Sequence, residues 1–289
     1  DKLDEEKHMK TLYAVIGNPI GHSMSPVMHN DLFSLYHIDA SYLPFQVQED
    51  DLQTAVKGLK ALGVGGFNLT VPYKSKIIPF LDEVDELAAS IGAVNTVVND
   101  GGKLIGYNTD GVGFLRGLNV LMSSLKGKNV LIIGAGGAAR AIYFTLAKEN
   151  PQVIDITNRT ITKAESLIEA CPYPISSNAY SLDAAEKNLA LYDVIIQTTL
   201  IGMSPKAFEQ PLTLNGMKPG TIVCDIIYNP LETQFLQKAR QNGGKTQNGI
   251  EMFVFQGALA FEKWTGIFPD VERMRETIFT QLGGQHVNR

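Results

Sequence analysis

The chain has 289 residues, which predicts about two domains, and 44% of them are apolar, enough to pack a core in each. Its formal net charge is -5 with no block of like charge, which excludes a general binder of nucleic acid or of an anionic membrane. The two cysteines, Cys171 and Cys224, exclude a disulfide framework and fit a reducing cytoplasm.

No apolar run approaches the roughly 18–20 residues of a membrane-spanning helix. The opening DKLDEEKH is too acidic for a signal peptide. Met9 reads as a natural start, with residues 1–8 disordered or foreign to the native chain, and residues 285–289 read as an unstructured tail. His22 and His29 are the closest histidine pair, and no cysteine or acidic cluster of ligand spacing surrounds them, so no metal site is expected.

In chain order, Leu12–Ile16 reads as a short strand closed by Gly17-Asn18-Pro19. Ser25 is predicted as N-cap and Pro26 as first residue of a helix to about Tyr36. That role accounts for Ser25 but leaves Ser23 unexplained, and two hydroxyls at a helix N-terminus also suit a carboxylate ligand. Ala40–Val47 is a second strand. Asp50 or Asp51 opens an amphipathic helix with Leu52, Val56, Leu59 and Leu62 on its apolar side, ended by Gly63. Gly66–Val71 is a third strand, after which Pro72-Tyr73-Lys74 starts a helix. This alternation favours a mostly parallel sheet, with ligands at the carboxyl ends of its strands, where Asn68, Thr70 and Lys74 lie. Lys74 alone would serve equally as a solvated surface charge. Ile91–Val98 is a further strand-like run with Asn95 inside it. A buried amide needs partners, either backbone groups or a polyol. Asp110 reads as N-cap of a helix from about Val112 to Val120.

Asn129–Ala147, NVLIIGAGGAARAIYFTLA, is a strand, a glycine turn and a helix in the order of the G-x-G-x-x-G/A dinucleotide fingerprint. Gly134 permits the turn, Gly136 lets a pyrophosphate approach the backbone, and Ala139 lets helix and strand pack closely. The anion sits at the helix N-terminus, with Arg140 as a nearby cation. By itself such a turn can be purely structural. Val153–Thr157 is the next strand. Folds that prefer NAD place an acid at its end for the ribose hydroxyl. Here Asn158-Arg159-Thr160 stand there, with Lys163 one turn on and Asp155 back inside the strand. A guanidinium binds a 2′-phosphate bidentately, so NADP is expected over NAD. Reading Arg159 as an exposed loop charge leaves the missing acid unexplained.

Ala164–Ala170 continues a helix, Pro172–Ser181 is loop-like, and Tyr192–Thr198 and Thr221–Ile227 are strands. Tyr228, taken alone, is a packed aromatic with a bonded hydroxyl. A long helical pattern after Asn248 carries Phe253, Val254, Ala258, Phe261 and Trp264 as core, with Gln256 its polar exception. Asp270–Leu282 is the last helix.

Four polar motifs thus precede the fingerprint: Ser23-Met24-Ser25-Pro26, Asn68-x-Thr70-x-Pro72-x-Lys74, Gly92-Ala93-Val94-Asn95-Thr96 and Asn108-Thr109-Asp110-Gly111. Together they resemble the substrate half of the shikimate dehydrogenases, and Asn158-Arg159-Thr160 matches the motif that family uses for NADP. The resemblance spans about Met9 to Gly284. It implies an α/β fold of two domains. Residues 9–110 plus 251–284 form a mostly parallel substrate domain, to which the C-terminal helices return, and residues 111–250 form a Rossmann-type NADP-binding domain. It implies that Ser23, Ser25, Thr70, Asn95, Asp110, Tyr228 and Gln256 hold shikimate and that Lys74 and Asp110 are the catalytic pair. It implies cofactor contacts from Glu86, Gly134, Ala135, Gly136, Gly137, Ala138, Asn158, Arg159, Thr160, Lys163, Thr198, Ile226 and Gly249. Gln197 stands where the family commonly has asparagine, which puts local hydrogen bonding at that point in question.

The implied reaction is the reversible NADPH-dependent reduction of 3-dehydroshikimate to shikimate, a step of aromatic amino-acid biosynthesis. The partners are small molecules, with neither nucleic acid nor membrane, and the enzyme works in the cytoplasm as a monomer or homodimer. A lysine is ordinarily charged at neutral pH and can donate a proton to a ketone oxygen. A carboxylate beside it favours the ammonium form, so Asp110 reads mainly as an orienting group. A quinate/shikimate dehydrogenase of broader cofactor use would place an acid near Thr160, which is absent. A non-catalytic dinucleotide-binding regulator would lack Lys74 or Asp110, and both are present. Against a folate-directed dehydrogenase stand Ser23, Ser25 and Gln256, which suit a small polyol acid.

Overall fold

The computed structural model describes residues 9–286, the last three by their backbone. The expectations for residues 1–8 and 287–289 lie outside the described residues. The chain divides into two compact units. The first takes the chain up to Ala88, Gly92–Tyr107 and the chain from Ala260; the second takes Ala89–Ile91 and Asn108–Leu259.

The first unit opens with β1 (Thr11–Gly17), α1 (Ser25–Leu35), β2 (Ala40–Gln46), α2 (Leu52–Ala61) and β3 (Gly66–Leu69). It continues through β4 (Glu83–Val84), the start of α3 (Glu86–Ile91), β5 (Thr96–Asp100) and β6 (Lys103–Tyr107). The sheet order is β2-β1-β3-β5-β6-β4. β1 pairs in parallel with β2 and β3, but β5 pairs antiparallel with both β3 and β6. The sheet is therefore mixed at this side, because Gly101 and Gly102, with φ of 58° and 95°, make a two-residue hairpin between β5 and β6. Positive φ at both central positions is what that turn requires. Leu52, Val56 and Leu59 of α2 pack on Ala14, Ile16, Phe67 and Leu69. Leu62, expected with them, is 76% exposed, because α2 ends at Ala61 and Gly63 turns the chain away at φ 66°.

Two further expectations are corrected here. No regular helix begins at Lys74: a single turn, with Ile77 N–H donating to Tyr73 O at 3.0 Å, runs into the short 3-10 stretch Ile78–Phe80. Pro79 has no N–H to continue an α-helix. Ile91 ends α3 and opens no strand, so Asn95 precedes β5 instead of lying within a strand. The α3 segment, ELAASI, is followed by Gly92 at φ 74°, which resets the chain before β5.

The second unit holds α4 (Asp110–Leu118), β7 (Asn129–Ile133), α5 (Gly137–Ala147), β8 (Val153–Thr157), α6 (Ile161–Ala170), β9 (Ala179–Tyr180), α7 (Leu182–Lys187), β10 (Val194–Gln197), β11 (Ile222–Asp225), α8 (Gln234–Gln241) and β12 (Lys245–Gln247). Its strands, all parallel, run β12-β11-β10-β7-β8-β9. Renumbered within the unit this is the doubly wound 3-2-1-4-5-6 order, with its switch point between β7 and β10. The edge strands β9 and β12 lie in segments too short and polar to be read as strands from periodicity. The seam after Tyr107 has a packing reason. A Cβ on Gly111 would stand 2.1 Å from Thr145 Oγ1, and one on Gly113 2.7 Å from the Gln256 N. The helix that Asp110 begins is therefore seated on α5 and on the segment around Gln256, within the second unit.

α9 (Ile250–Thr265) contributes its residues from Ala260 onward to the first unit, and α10 (Val271–His286) follows it there. Phe261 packs tilted against Phe33, and Arg273 makes two hydrogen bonds to Asp31 of α1, at 2.8 and 2.9 Å. α10 runs to His286, so residues 285 and 286 extend the helix instead of forming a tail. Among the described residues no helix is long and apolar enough to cross a membrane, and no group of three or more His, Cys, Asp or Glu is placed to hold a metal.

Candidate active site

In the first unit the expected ligand residues lie around the carboxyl ends of β1 and β3 and the start of β5. β1 and β3 are parallel neighbours, and their carboxyl ends adjoin. A Cβ on Gly17 would stand 2.4 Å from Thr70 Cγ2, so glycine is what lets the two ends meet. Asn18 N–H donates to Val71 O at 3.0 Å and Ser23 N–H to Ile20 O at 3.0 Å, which fixes the loop into α1. Ser25 does not act as the helix cap. It is the first residue of α1, Met24 holds the cap position, and the Ser25 N–H donates to Ser23 Oγ at 3.3 Å. The hydroxyl one step further out satisfies the free donor, so the serine expected to cap is itself capped.

Lys74 is half-buried, and its carbonyl accepts the Val94 N–H at 2.7 Å. That bond ties Lys74 to the residue beside Asn95. The Asn95 N–H donates to Tyr107 O at 3.0 Å, and its carbonyl accepts the Leu69 N–H at 2.9 Å. Asn95 is 3% exposed and is joined to Thr96 and Asn68 by side-chain bonds. Glu86 is exposed at the start of α3.

In the second unit the glycine turn follows β7. Gly134 takes φ 109°, and a Cβ there would stand 2.5 Å from Thr198 Oγ1 at the end of β10. Around Gly136 and Gly137, by contrast, a Cβ would meet nothing. Gly134 is held by the fold, while Gly136 keeps open space at the N-terminus of α5, where the first-turn N–H groups have no intrahelical partner. A cavity of about 450 Å³ opens there, lined by Ala135, Gly136, Gly137, Arg140, Thr162, Lys163, Ser166 and Leu167. A larger one, about 530 Å³, lies at the amino ends of β10, β11 and β12 and holds none of the expected ligand residues. Arg140 reaches the edge of the first cavity, but its Nε donates to Ile91 O at 2.6 Å and its Nη2 to Ser90 O at 3.1 Å. It therefore also closes the C-terminal end of α3, a role its position in the motif does not reveal.

The end of β8 carries no free acid. Asp155 is buried, accepts the Asn178 N–H at 2.8 Å and the Tyr192 hydroxyl at 2.7 Å, and faces these partners within the sheet. Asn158 Nδ2 donates to Thr160 O at 3.0 Å, and Arg159, Thr160 and Lys163 are exposed. Gln197 folds back on its own turn: Nε2 donates to Ile201 O at 3.0 Å, and Oε1 accepts the Thr199 N–H at 3.0 Å. The longer amide thus satisfies both of its ends locally. At the end of β11, Asp225 accepts the Ile227 N–H at 3.1 Å and the Thr233 hydroxyl at 2.8 Å, and burial pushes its carboxyl up to about 7. A Cβ on Gly249 would lie 1.9 Å from Ile226 O, so Gly249 and Ile226 are held in contact.

Asp110 also corrects an expectation. Thr109 holds the cap position of α4 and Asp110 is its first residue, its N–H donating to Asn108 Oδ1 at 3.0 Å. Thr109 Oγ1 donates to Gln256 O at 3.0 Å, while Gln256 Nε2 donates to Phe253 O at 2.8 Å. Asp110, Tyr228 and Gln256 are half-buried, and the Tyr228 ring packs on Phe253 at 5.6 Å.

Three family models match the chain in order: a shikimate dehydrogenase substrate binding domain over residues 15–97, shikimate / quinate 5-dehydrogenase over 118–206, and a shikimate 5′-dehydrogenase C-terminal domain over 249–279. A shikimate dehydrogenase (NADP(+)) of Bacillus thuringiensis subsp. konkukian is 57% identical over 277 residues, covering 96% of this chain and 100% of its own. The chain belongs to the shikimate dehydrogenase family. Within the family, a shikimate dehydrogenase solved in complex with NADP+ is 41% identical, with a TM-score of 0.88 over 94% of this chain and 96% of its own. A shikimate 5-dehydrogenase of Listeria monocytogenes, solved with shikimate and NAD, is 35% identical, with a TM-score of 0.89 over 96% of this chain and 100% of its own. The two-domain α/β architecture is that of the family.

Side chains that sequence reasoning left out of the site are Tyr42, Thr96 and Thr162. Thr162 lines the cavity beside α5. Tyr42 and Thr96 join Asn68 and Asn95 in a buried hydrogen-bonded chain. The one available signal was Asn68 itself, a polar amide inside the apolar run GFNLTV.

Proposed function

We propose that the chain catalyses the reversible NADPH-dependent reduction of 3-dehydroshikimate to shikimate, with residues 9–110 plus 251–284 as substrate domain and 111–250 as NADP-binding domain. It works on small molecules in the cytoplasm, as a monomer or homodimer, without a nucleic-acid or membrane partner. The observation that carries the cofactor choice is the end of β8: its one acid, Asp155, is bonded to Asn178 and Tyr192, while Arg159 is exposed and Lys163 lines the cavity at α5. Open space at Gly136 fits a pyrophosphate, and Arg159 with Lys163 fits a 2′-phosphate. Glu86, Ala135, Ala138, Asn158, Thr160, Thr198, Ile226 and Gly249 complete the cofactor set.

When bound, NADPH supplies the hydride that reduces the ketone carbon. Ser23 and Ser25 bind the substrate carboxylate, and Tyr228 also holds the substrate. Thr70, Asn95 and Gln256 hold the ring hydroxyls and fix which face of the ring is presented. Lys74 Nζ gives a proton to the ketone oxygen in reduction and takes it from the hydroxyl in oxidation. Asp110 accepts a hydrogen bond from the substrate hydroxyl and orients it. Holding the reacting groups in this geometry replaces a bimolecular encounter with an effectively unimolecular step.

The alternative is oxidation of quinate with NAD. Steady-state turnover of shikimate and of quinate, each with NADP and with NAD, tests the proposal. It expects the highest kcat/KM for shikimate with NADP, with 3-dehydroshikimate as product. Faster turnover of quinate with NAD would overturn it.

A further inference from the structure

Asn68 is 7% exposed, and the partners of its side chain all lie inside the first unit. Tyr42 OH donates to Asn68 Oδ1 at 2.7 Å. Asn68 Nδ2 has two protons, and it donates to Asn95 O at 3.0 Å and to Thr96 Oγ1 at 3.0 Å. Thr96 Oγ1 in turn donates its own proton to Asn95 Oδ1 at 3.1 Å. Along these bonds the donors run one way. Tyrosine gives to the carbonyl end of Asn68, its amide end gives to threonine, and threonine gives to the carbonyl end of Asn95. The end of Asn95 that does not face Thr96 is its NH2 group, a donor.

The chain is also held rigidly. Asn68 and Thr96 stand opposite each other across the β3–β5 pairing. Tyr42 lies on the edge strand β2, where Asn30 of α1 clamps its backbone: Asn30 Nδ2 donates to Tyr42 O at 2.9 Å and Tyr42 N–H to Asn30 Oδ1 at 2.8 Å. The ring is fully buried, stacked on His29 at 4.6 Å and tilted against Trp264 at 6.1 Å. Burial raises the Tyr42 hydroxyl well above the ordinary tyrosine value, so it keeps the proton that starts the chain. The Ser25 side chain hydrogen-bonds the same hydroxyl. A buried polar chain in an apolar sheet is unfavourable unless every member is satisfied, and once satisfied it specifies one arrangement.

We propose that Tyr42, Asn68 and Thr96 are positioning residues that fix the sense of the Asn95 amide, so that Asn95 meets the substrate as a hydrogen-bond donor. The inference rests on the reading of Asn95 as a shikimate-binding residue. Its content is a directional relay that begins at the edge of the sheet and ends at the ligand.

Steady-state kinetics on Tyr42→Phe, Thr96→Val, Asn95→Ala and the Thr96→Val/Asn95→Ala double variant test it, with thermal melting to confirm that each is folded. Tyr42→Phe is expected to raise KM for shikimate about 5- to 10-fold, the effect of one lost buried hydrogen bond, with KM for NADP unchanged and kcat nearly so. Thr96→Val, which leaves Tyr42 untouched, is expected to give the same split, and it carries the test if Tyr42→Phe does not fold. In the Asn95→Ala background, Thr96→Val should add nothing, because it acts through Asn95. A normal KM for shikimate in Tyr42→Phe or Thr96→Val, or additive losses in the double variant, would overturn the relay. If Asn95→Ala itself leaves KM for shikimate unchanged, Asn95 as a substrate residue fails, and the relay falls with it. If Asn95→Ala raises KM and Tyr42→Phe does not, the relay alone fails.

Discussion

The two units build their proposed ligand sites from different materials. The second uses one continuous stretch of backbone: Gly134 turns at φ 109°, Gly136 leaves space, and the first amides of α5 have no intrahelical acceptor. The first uses side chains from separate segments, with Tyr42 bonded to Asn68 and Asn68 to Thr96 across 26 and 28 residues of sequence. A surface made of backbone tolerates sequence change except where a Cβ would intrude. One made of buried side chains depends on each hydroxyl and amide.

The largest effect belongs to Lys74. Lys74→Ala should lower kcat about 100- to 10,000-fold, the range for loss of a proton donor, with a much smaller change in shikimate binding. Near-normal turnover by stopped-flow or steady-state assay would remove it from the chemistry.

Next comes the glycine turn. Gly134→Ala puts a Cβ 2.5 Å from Thr198 Oγ1 at a φ of 109°, so it should destabilise the protein by about 2 kcal/mol or more and lower Tm. Gly136→Ala meets no atom of the protein, so Tm should hold while KM for NADPH rises. Equal melting losses in both variants would erase the distinction between a glycine required by the fold and one kept for a ligand.

Arg159→Ala should raise KM for NADPH about tenfold, the scale of a lost charge-assisted pair, and leave KM for NADH almost unchanged. Equal effects on the two cofactors would reject a 2′-phosphate contact.

The most gradual effects concern pH, and here the units oppose each other. His29 in the first unit is buried and its pKa is pushed down to about 3, with Nδ1 unpartnered. Its contribution to stability is present above the unfolded value near 6.5 and is lost as pH falls from there toward 3, by at most about 1.4 kcal/mol per pH unit. Asp225 in the second unit is raised to about 7. Its contribution is fully present below about 4 and is lost as pH rises through 7. Denaturant titrations should therefore show His29→Phe losing less stability than the parent between pH 6 and about 4. They should show Asp225→Asn losing less between about pH 4 and 7. Parallel pH profiles for parent and variant would refute either assignment.

Legibility in the sequence follows the same division. The β7–α5 turn was readable because its parts are adjacent: an apolar run, glycines at fixed offsets and a helical pattern. The missing acid after β8 was readable for the same reason. Gly101-Gly102 marks the β5–β6 hairpin, but the apolar run from Ile91 masks it, because periodicity alone does not separate the end of α3 from the start of a strand. Ser25 and Asp110 were each placed one position outside the helix they begin, since a cap and a first residue differ by local φ/ψ and not by composition. Partners such as Tyr42 for Asn68, or Asn178 for Asp155, depend on which strands and loops lie together, and nothing in the local sequence names them.

Substrate and cofactor kinetics on the parent, Asn95→Ala and Arg159→Ala, with shikimate and both NADP and NAD, test most directly whether the two surfaces select their ligands separately. The account predicts that Arg159→Ala erases the preference for NADP and leaves KM for shikimate unchanged, while Asn95→Ala raises KM for shikimate and leaves the NADP preference intact. A variant that moves both preferences together would contradict it.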